Sequence, residues 1–178
     1  MNRNPGLTRD DLSEEGRRVY DEIVATRGEV DEAFQILLPR PELLRRIAHL
    51  GTYIRFESNL PAPIRECIVL ATAREIESEF EWASHEPQAR RAGVSDETIR
   101  AIKAGEMPSA ASQGEWTAVR FVYESLRHHR VTDGTFRALV DAFGLEGATE
   151  AAATLGFYSM LGNILIAFDV GRQAQGGG

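Results

Sequence analysis

The stretch that decides the fold is residues 64–76, which read Ile-Arg-Glu-Cys-Ile-Val-Leu-Ala-Thr-Ala-Arg-Glu-Ile. Its apolar residues do not alternate with polar ones in the period of two that is typical of a half-buried strand. The stretch therefore predicts a helix from Ile64 to about Ile76 that is apolar almost all round. A helix without a polar face belongs in the centre of a protein and not on its surface.

Helical spacing continues on both sides of this segment, and period-two alternation never persists. Glycine, proline and capping residues separate the predicted helices. The first helix is capped by Thr8 or Asp11 and runs to about Arg27, with a stop at Gly28. The others are predicted at 31–38, 42–57, 78–92, 95–105, 115–129, 133–143 and 146–170. Pro41 suits the first turn of the helix 42–57, and Gly144 ends the helix 133–143. The sequence predicts one all-α helical domain over residues 8–170, with flexible tails at 1–7 and 171–178.

Composition and charge narrow the classes of partner that we expect. The chain has 178 residues and a formal net charge of −7, and it shows no basic cluster large enough to bind nucleic acid. It also has no uninterrupted apolar run of about 18 residues and no apolar segment near the N-terminus that would act as a signal peptide. We therefore expect a cytoplasmic protein that binds neither nucleic acid nor membrane. The last helix is apolar on more than one face, which favours burial against a partner subunit.

Cys67 is the single cysteine of the chain, so no internal disulfide can form. It lies within the apolar run, where a free cysteine usually behaves as a small buried hydrophobic residue. No cationic residue is placed to lower the pKa of its thiol. We expect Cys67 to be inert.

Glu66 is unusual because its neighbours on a helix surface would be Val69, Leu70 and Ala73. A carboxylate on such a face has two interpretations. It lies in the first helical turn, where the helix dipole favours an acid, or it is buried at a functional site.

Ser78, Glu81 and His85 fall at positions i, i+3 and i+7, so they share one helix face. Glu81 and His85 are four residues apart, and a carboxylate beside a histidine is typical of acid–base catalysis. The same spacing also allows a different interpretation, because Ser78-x-x-Glu81 has the pattern of a capping box that begins a helix. Spacing alone leaves both interpretations open.

These residues, in this order, resemble the carboxymuconolactone decarboxylase family, which includes the alkylhydroperoxidase-D-like proteins. The resemblance rests on Arg65-Glu66, Ser78-x-x-Glu81-x-x-x-His85 twelve residues further on, and residues 90–97. The peroxidase branch of the family has a Cys-x-x-Cys pair where this chain has Ser78 and Glu81. The resemblance implies an all-α fold of the alkylhydroperoxidase-D-like type that assembles as a homo-oligomer, a trimer or a hexamer.

The missing thiols decide which branch the chain resembles. Dithiol peroxide reduction needs an attacking and a resolving thiol, and positions 78 and 81 supply neither. The remaining branch implies cofactor-free decarboxylation of a small lactone acid. In our hypothesis His85 is the proton donor, Glu81 orients it and Glu66 completes the relay.

The substrate-binding candidates lie close to these residues in sequence. They are Ser78, Trp82 and Arg74, with Arg65 as a second arginine that could hold the substrate carboxylate. We expect no metal, although Glu66, Glu81 and His85 could together supply three ligands. Two alternatives stay open: a divergent member of the peroxidase family with an antioxidant role, and a non-catalytic oligomeric binding protein.

Overall fold

The apolar stretch 64–76 lies in a helix that begins at Ala62 and ends at Glu75. In the computed structural model of the protein, which describes residues 2–171, every residue of this helix from Glu66 to Ala73 is buried. The helix packs against the three that follow it in the chain. The sequence prediction of a central helix without a polar face is confirmed.

Within residues 2–171 the structure contains helices and loops and no β-strand, so the predicted all-α class is confirmed. The α-helices are α1 (Glu14–Arg27), α2 (Glu32–Gln35), α3 (Pro41–Thr52), α4 (Ala62–Glu75), α5 (Glu79–Arg91), α6 (Asp96–Ala104), α7 (Gln113–His128) and α8 (Asp133–Ala167). A 3₁₀ turn at Arg9–Asp11 precedes α1, and a π-helical segment at Tyr53–Glu57 follows α3.

The ends of the helices follow the local chemistry that the sequence shows. Ser13, and not Thr8 or Asp11, caps α1 by accepting a hydrogen bond from Gly16 N–H. Gly28 ends this helix with a φ of +87°, a conformation that glycine adopts without steric cost. Ser112 and Glu115 form a capping box at the start of α7.

The chain divides into two compact units. Residues 58–163 form one unit, in which α4 contacts α5, α6 and α7 around a core built mainly from aliphatic side chains. Of the described residues, 2–57 and 164–171 belong to the other unit, where α1 packs on α3. The single domain that the sequence predicts over residues 8–170 remains a prediction.

Helix α8 is interrupted at Gly144, whose φ of 70° and ψ of 173° are not helical. The break lies where the sequence predicts a stop between two helices. By length and composition α8 is the one helix of residues 2–171 that could cross a membrane. Core helices of soluble proteins pass the same test, and Thr154, Phe157 and Leu165 of α8 are buried in the protein.

The predicted tails differ from each other in the structure. Arg3 N–H donates to Phe168 O at 2.8 Å, and Asn4 Nδ2 donates to Gln35 Oε1 at 3.2 Å. Residues 2–7 thus form no helix but are hydrogen bonded, unlike the flexible tail that we expect. Of the predicted tail 171–178, only Gly171 lies within the described residues.

Candidate active site

Glu66 is the fifth residue of α4, because the helix begins two residues earlier than the sequence predicts. It therefore lies beyond the first turn, and the interpretation of Glu66 as a dipole residue is wrong. Only 4 % of the residue is exposed. A buried carboxylate requires hydrogen-bonding or charged partners to offset its desolvation.

The main partner of Glu66 is His85, which α5 brings against α4. His85 Nδ1 lies 2.9 Å from Glu66 Oε2, and His85 is itself only 4 % exposed. A carboxylate can only accept a hydrogen bond, so with Glu66 as the carboxylate the hydrogen of this bond is on His85 Nδ1, and Nε2 faces other groups. Arg65 contributes a second charge to the pair, with its Nε 3.6 Å from Glu66 Oε1.

Glu81 lies on the other side of the imidazole ring. Its Oε2 is 3.7 Å from His85 Nε2, and the residue is 3 % exposed. This separation is too long for a direct hydrogen bond but brings the carboxylate against the ring. The structure thus gives the orienting contact to Glu66, which is distant in sequence, and not to Glu81, for which we predict that role.

Tyr158 completes the surroundings of His85 and is absent from our sequence-based candidates. Its ring meets the imidazole edge-on, with 4.9 Å between centroids and an angle of 83°. Tyr158 lies on α8, one turn before Gly162, where a Cβ atom would overlap Ile76 Cδ1. The small residue lets α8 approach the turn between α4 and α5. No local spacing relates position 158 to position 85, so the sequence alone gives no signal for this contact.

The capping box that the spacing of Ser78 and Glu81 also allows does not form. The Ser78 side chain makes no capping hydrogen bond at the start of α5, and Ser78 N–H donates to Ala73 O at 2.9 Å. Ser78 is 3 % exposed, and its Oγ has no hydrogen-bond partner within residues 2–171. A buried hydroxyl in this state is unusual and needs an explanation.

The three predicted substrate-binding residues line one groove of about 460 Å³. The groove lies beside the start of α5, and α6 contributes to it through Lys103. Its lining consists of Ala73, Arg74, Glu77, Ser78, Glu79, Trp82 and Lys103. Ser78, Trp82 and Arg74, which we predict from sequence, therefore converge, while Lys103 is a further residue that sequence reasoning missed.

Arg74 and Trp82 are held by specific contacts at this groove. Arg74 Nε donates to Lys103 O at 2.8 Å, which connects the end of α4 to the end of α6. Trp82 Nε1 donates to Glu86 Oε2 at 2.6 Å. The indole and the guanidinium are therefore fixed in place before any ligand arrives.

Cys67 is completely buried. Burial, together with the charges of Glu115 and Glu66, strongly raises the pKa of its thiol. A thiol that stays protonated is a poor nucleophile. The expectation of an inert cysteine agrees with this environment.

Metal ligation was the other chemistry that the sequence left open. Within residues 2–171, no group of three or more His, Cys, Asp or Glu side chains has an arrangement suited to holding a metal ion.

Most residues of this site lie in a region that matches a known protein family. Residues 41–124, just under half of the chain, match the model of the Carboxymuconolactone decarboxylase family. The matched region contains Glu66, Glu81 and His85, and the resemblance predicted from sequence is confirmed. No curated protein matches the chain.

Solved structures with the same fold include two kinds of protein. An uncharacterised peroxidase-related protein from Ralstonia eutropha JMP134, described as an alkylhydroperoxidase AhpD core, shares 20 % identity at a TM-score of 0.77. The alignment covers 97 % of each chain. The debrominase Bmp8, solved without ligand and as a variant bound to 2,3,4-tribromopyrrole, shares 17 % identity at a TM-score of 0.75. That alignment covers 94 % of this chain and 90 % of Bmp8. At these identities the similarity concerns the fold.

Proposed function

We propose that this protein, whose residues 41–124 match the carboxymuconolactone decarboxylase family, is a cofactor-free acid–base lyase for a small carboxylated, lactone-like substrate. In this proposal the protein works in the cytoplasm as a homo-oligomer, a trimer or a hexamer. The observation that carries the proposal is the buried His85, hydrogen bonded at Nδ1 by Glu66 and approached at Nε2 by Glu81.

The reaction requires one bond to break and one proton to be returned. The bond between the substrate carbon and its carboxylate breaks, CO₂ leaves, and the electron pair moves into the conjugated lactone carbonyl. The resulting dienolate takes a proton at carbon, which restores a neutral lactone. An enzyme for this step needs a positioned proton donor and a means of stabilising negative charge.

His85 suits the role of proton donor because its two nitrogens face different groups. Glu66 fixes the Nδ1–H tautomer and stabilises a positive imidazolium, so Nε2–H is oriented to donate. Each turnover moves one proton from His85 to the product, and water supplies its replacement. Glu81, 3.7 Å from Nε2, is close enough to pass that proton from water to the ring with a small movement. The low exposure of all three residues strengthens the electrostatic interactions between them.

Turnover of the lactone acid after which the family is named tests this proposal. We expect CO₂ release by the native protein and a loss of about 10²-fold or more in His85→Ala. Glu81→Gln should also lose activity, with circular dichroism showing that the helices persist. His49→Ala is the matched control, because His49 is an exposed histidine outside the site, and it should keep the native rate. Native rates in His85→Ala would overturn the proposal.

A further inference from the structure

Arg65 is a mostly buried arginine whose hydrogen-bond donors the fold leaves unused. Only 15 % of its side chain is exposed, and its Nε lies 3.6 Å from Glu66 Oε1. That separation is too long for a hydrogen bond, and Arg65 Nε has no hydrogen-bond partner within residues 2–171. A guanidinium carries five N–H donors, and buried donors without partners cost free energy. The unused donors therefore indicate a role beyond folding.

The two Nη groups of Arg65 reach accessible space. Its Nε is among the buried atoms without a partner, but neither Nη is buried to that degree, and neither forms a hydrogen bond within the described part of the chain. Each Nη carries two N–H donors. Four donors and the charge of the guanidinium are thus open to a molecule that approaches Glu66 from outside.

Arg74, the other arginine that the sequence offers for binding an anion, has a structural role that Arg65 lacks. Arg74 Nε donates to Lys103 O at 2.8 Å, and its guanidinium lies beside Gly105, at the end of α6. The last carbonyl groups of a helix have no partner within the helix, and an arginine there satisfies them. This contact accounts for Arg74 without any ligand.

Glu66 lies between Arg65 and the candidate proton donor. Its Oε1 faces the guanidinium, and its Oε2 accepts the hydrogen bond from His85 Nδ1. The reaction proposed above needs a group that stabilises negative charge on the carbonyl oxygen as well as a proton donor. Glu66 and Glu81 cannot do this as carboxylates, because their charge has the same sign. Within the described residues, Glu66 forms ion pairs with His85 and Arg65, which leaves Arg65 as the cation for this task.

We propose that Arg65 is a catalytic residue whose Nη groups stabilise the negative charge that develops on the carbonyl oxygen as CO₂ leaves. The inference rests on the proposed function, because it assigns the charge-stabilising role that the reaction requires. The electron pair of the broken carbon–carbon bond moves onto the carbonyl oxygen, to which the guanidinium donates hydrogen bonds without giving up a proton. The pair returns to carbon when His85 Nε2–H protonates the dienolate.

Equilibrium binding of tetronate tests the proposal without any turnover. Tetronate is a five-membered lactone without a carboxylate, and its enolate charge is spread over its oxygens at neutral pH. We expect calorimetry to show that the native protein binds tetronate more tightly than the neutral lactone γ-butyrolactone. Arg65→Met should weaken tetronate binding about tenfold or more and leave the affinity for γ-butyrolactone nearly unchanged.

Arg91→Met is the matched control, because Arg91 is an exposed arginine at the end of α5. It removes the same charge and should leave tetronate binding within about twofold of the native value. Three results would each overturn the proposal: no binding of tetronate by the native protein, equal affinity in the native protein and Arg65→Met, and equal weakening by Arg91→Met.

Steady-state kinetics separate stabilisation of the developing charge from simple binding of the substrate. Arg65→Met should lower kcat about 10²-fold and change KM far less, because the interaction strengthens as the charge forms. A raised KM with an unchanged kcat would overturn the proposal, since Arg65 would then bind substrate and transition state equally.

Chemical rescue tests the same role in Arg65→Ala, with circular dichroism showing that the helices persist. Added guanidinium at millimolar concentration should restore part of the lost rate, whereas urea, which has a similar shape and no charge, should restore none. Equal effects of guanidinium and urea would contradict a role for the charge.

The two measurements also separate this inference from the proposed function. Tetronate binding that depends on Arg65 in a protein that releases no CO₂ would contradict the proposed function alone. Release of CO₂ at an unchanged rate in Arg65→Met would contradict the role of Arg65 alone.

Discussion

The two carboxylates beside His85 differ in what their removal should do to stability. Glu66 is hydrogen bonded to His85 Nδ1 at 2.9 Å, whereas Glu81 approaches Nε2 at 3.7 Å. Glu66→Ala leaves a buried imidazole N–H without its acceptor, which costs about 1–3 kcal/mol. Glu66→Gln keeps an acceptor in place and should cost less. Urea unfolding of both variants measures the difference.

Glu79→Gln is the control for the two Glu66 variants, because Glu79 is an exposed glutamate at the start of α5, the helix that carries His85. Its unfolding free energy should stay within about 0.5 kcal/mol of the native value. Equal stability in Glu66→Ala and Glu66→Gln would show that the hydrogen bond to His85 contributes nothing.

Cys67 should be inaccessible to thiol reagents in the native protein. Its side chain is buried and the pKa of its thiol is strongly raised by burial, so both access and thiolate formation are suppressed. We expect no reaction with a disulfide reagent under native conditions and one equivalent in denaturant. The folded thiol stays protonated where the unfolded one ionises, so Cys67 lowers stability as pH rises above about 9. Rapid native labelling, or oxidation by hydroperoxide, would contradict this prediction.

For single residues, the sequence identifies which side chains belong to the candidate site but not which of them contact each other. Ser78, Glu81 and His85 share a helix face by their spacing alone, and all three are buried in the structure. The partner of His85 Nδ1 depends on how α4 and α5 pack, and Tyr158 lies in a distant part of the chain. Such contacts depend on tertiary structure, which helical periodicity does not encode.

At the scale of elements, Glu124 of α7 caps the start of α8. Its carboxylate accepts hydrogen bonds from Thr132 N–H at 2.8 Å and from Thr135 Oγ1 at 2.8 Å, and it pairs with Arg120. Burial alone would raise the pKa of Glu124, but these donors outweigh it and lower the pKa to about 2. Helix α8 therefore depends on the ionised form of this carboxylate.

Because the pKa is lowered on folding, Glu124 stabilises the protein at pH values above 4.5, the ordinary value. This contribution, about 2 kcal/mol at most, is lost as the pH falls from 4.5 towards 2. We expect Glu124→Gln to lower stability at neutral pH and to flatten the dependence of unfolding free energy on pH in this range. Parallel pH profiles for the native protein and the variant would contradict the prediction that the ionised Glu124 stabilises the fold.

The break in α8 at Gly144 should resist substitution. Its φ of 70° and ψ of 173° lie in a region that is essentially restricted to glycine. Gly144→Ala should therefore destabilise the protein by about 1–3 kcal/mol in urea unfolding. Gly156 lies in the same helix with open space around its Cβ position, so Gly156→Ala should be neutral or stabilising. An unchanged unfolding free energy in Gly144→Ala would contradict the prediction that alanine is strained at this position.

Of the fold, the sequence predicts the helices and their order well. Capping residues, glycine stops and the apolar run over 64–76 reproduce their order, with ends displaced by a few residues. Larger differences have local causes. The region 31–38 forms a four-residue helix, and the predicted helix 42–57 changes to π-helical geometry at Tyr53. Backbone geometry at such ends depends on packing more than on propensity.

At the scale of the whole molecule, self-association as a trimer or hexamer stays a prediction. Several large apolar side chains of α8 are exposed in the single chain, among them Leu145 at 65 % and Phe136 at 48 %. Exposed apolar surface of this kind is typical of subunit interfaces. Light scattering should show a mass of three or six chains, and Leu145→Glu should lower it. Arg137→Glu, at an exposed polar position of α8, is the control, and a monomeric native protein would contradict the prediction.

The division into two compact units was not foreseen, because no linker composition marks residue 58 or residue 163. The buried state of Cys67 offers a practical way to study it. Because the native thiol is shielded from labelling reagents, the protein can be labelled at introduced cysteines without first removing Cys67. Spin labels attached to cysteines introduced at one exposed position in each unit would report from those positions alone. Pulsed electron paramagnetic resonance could then measure the distance between the units in the otherwise unaltered protein.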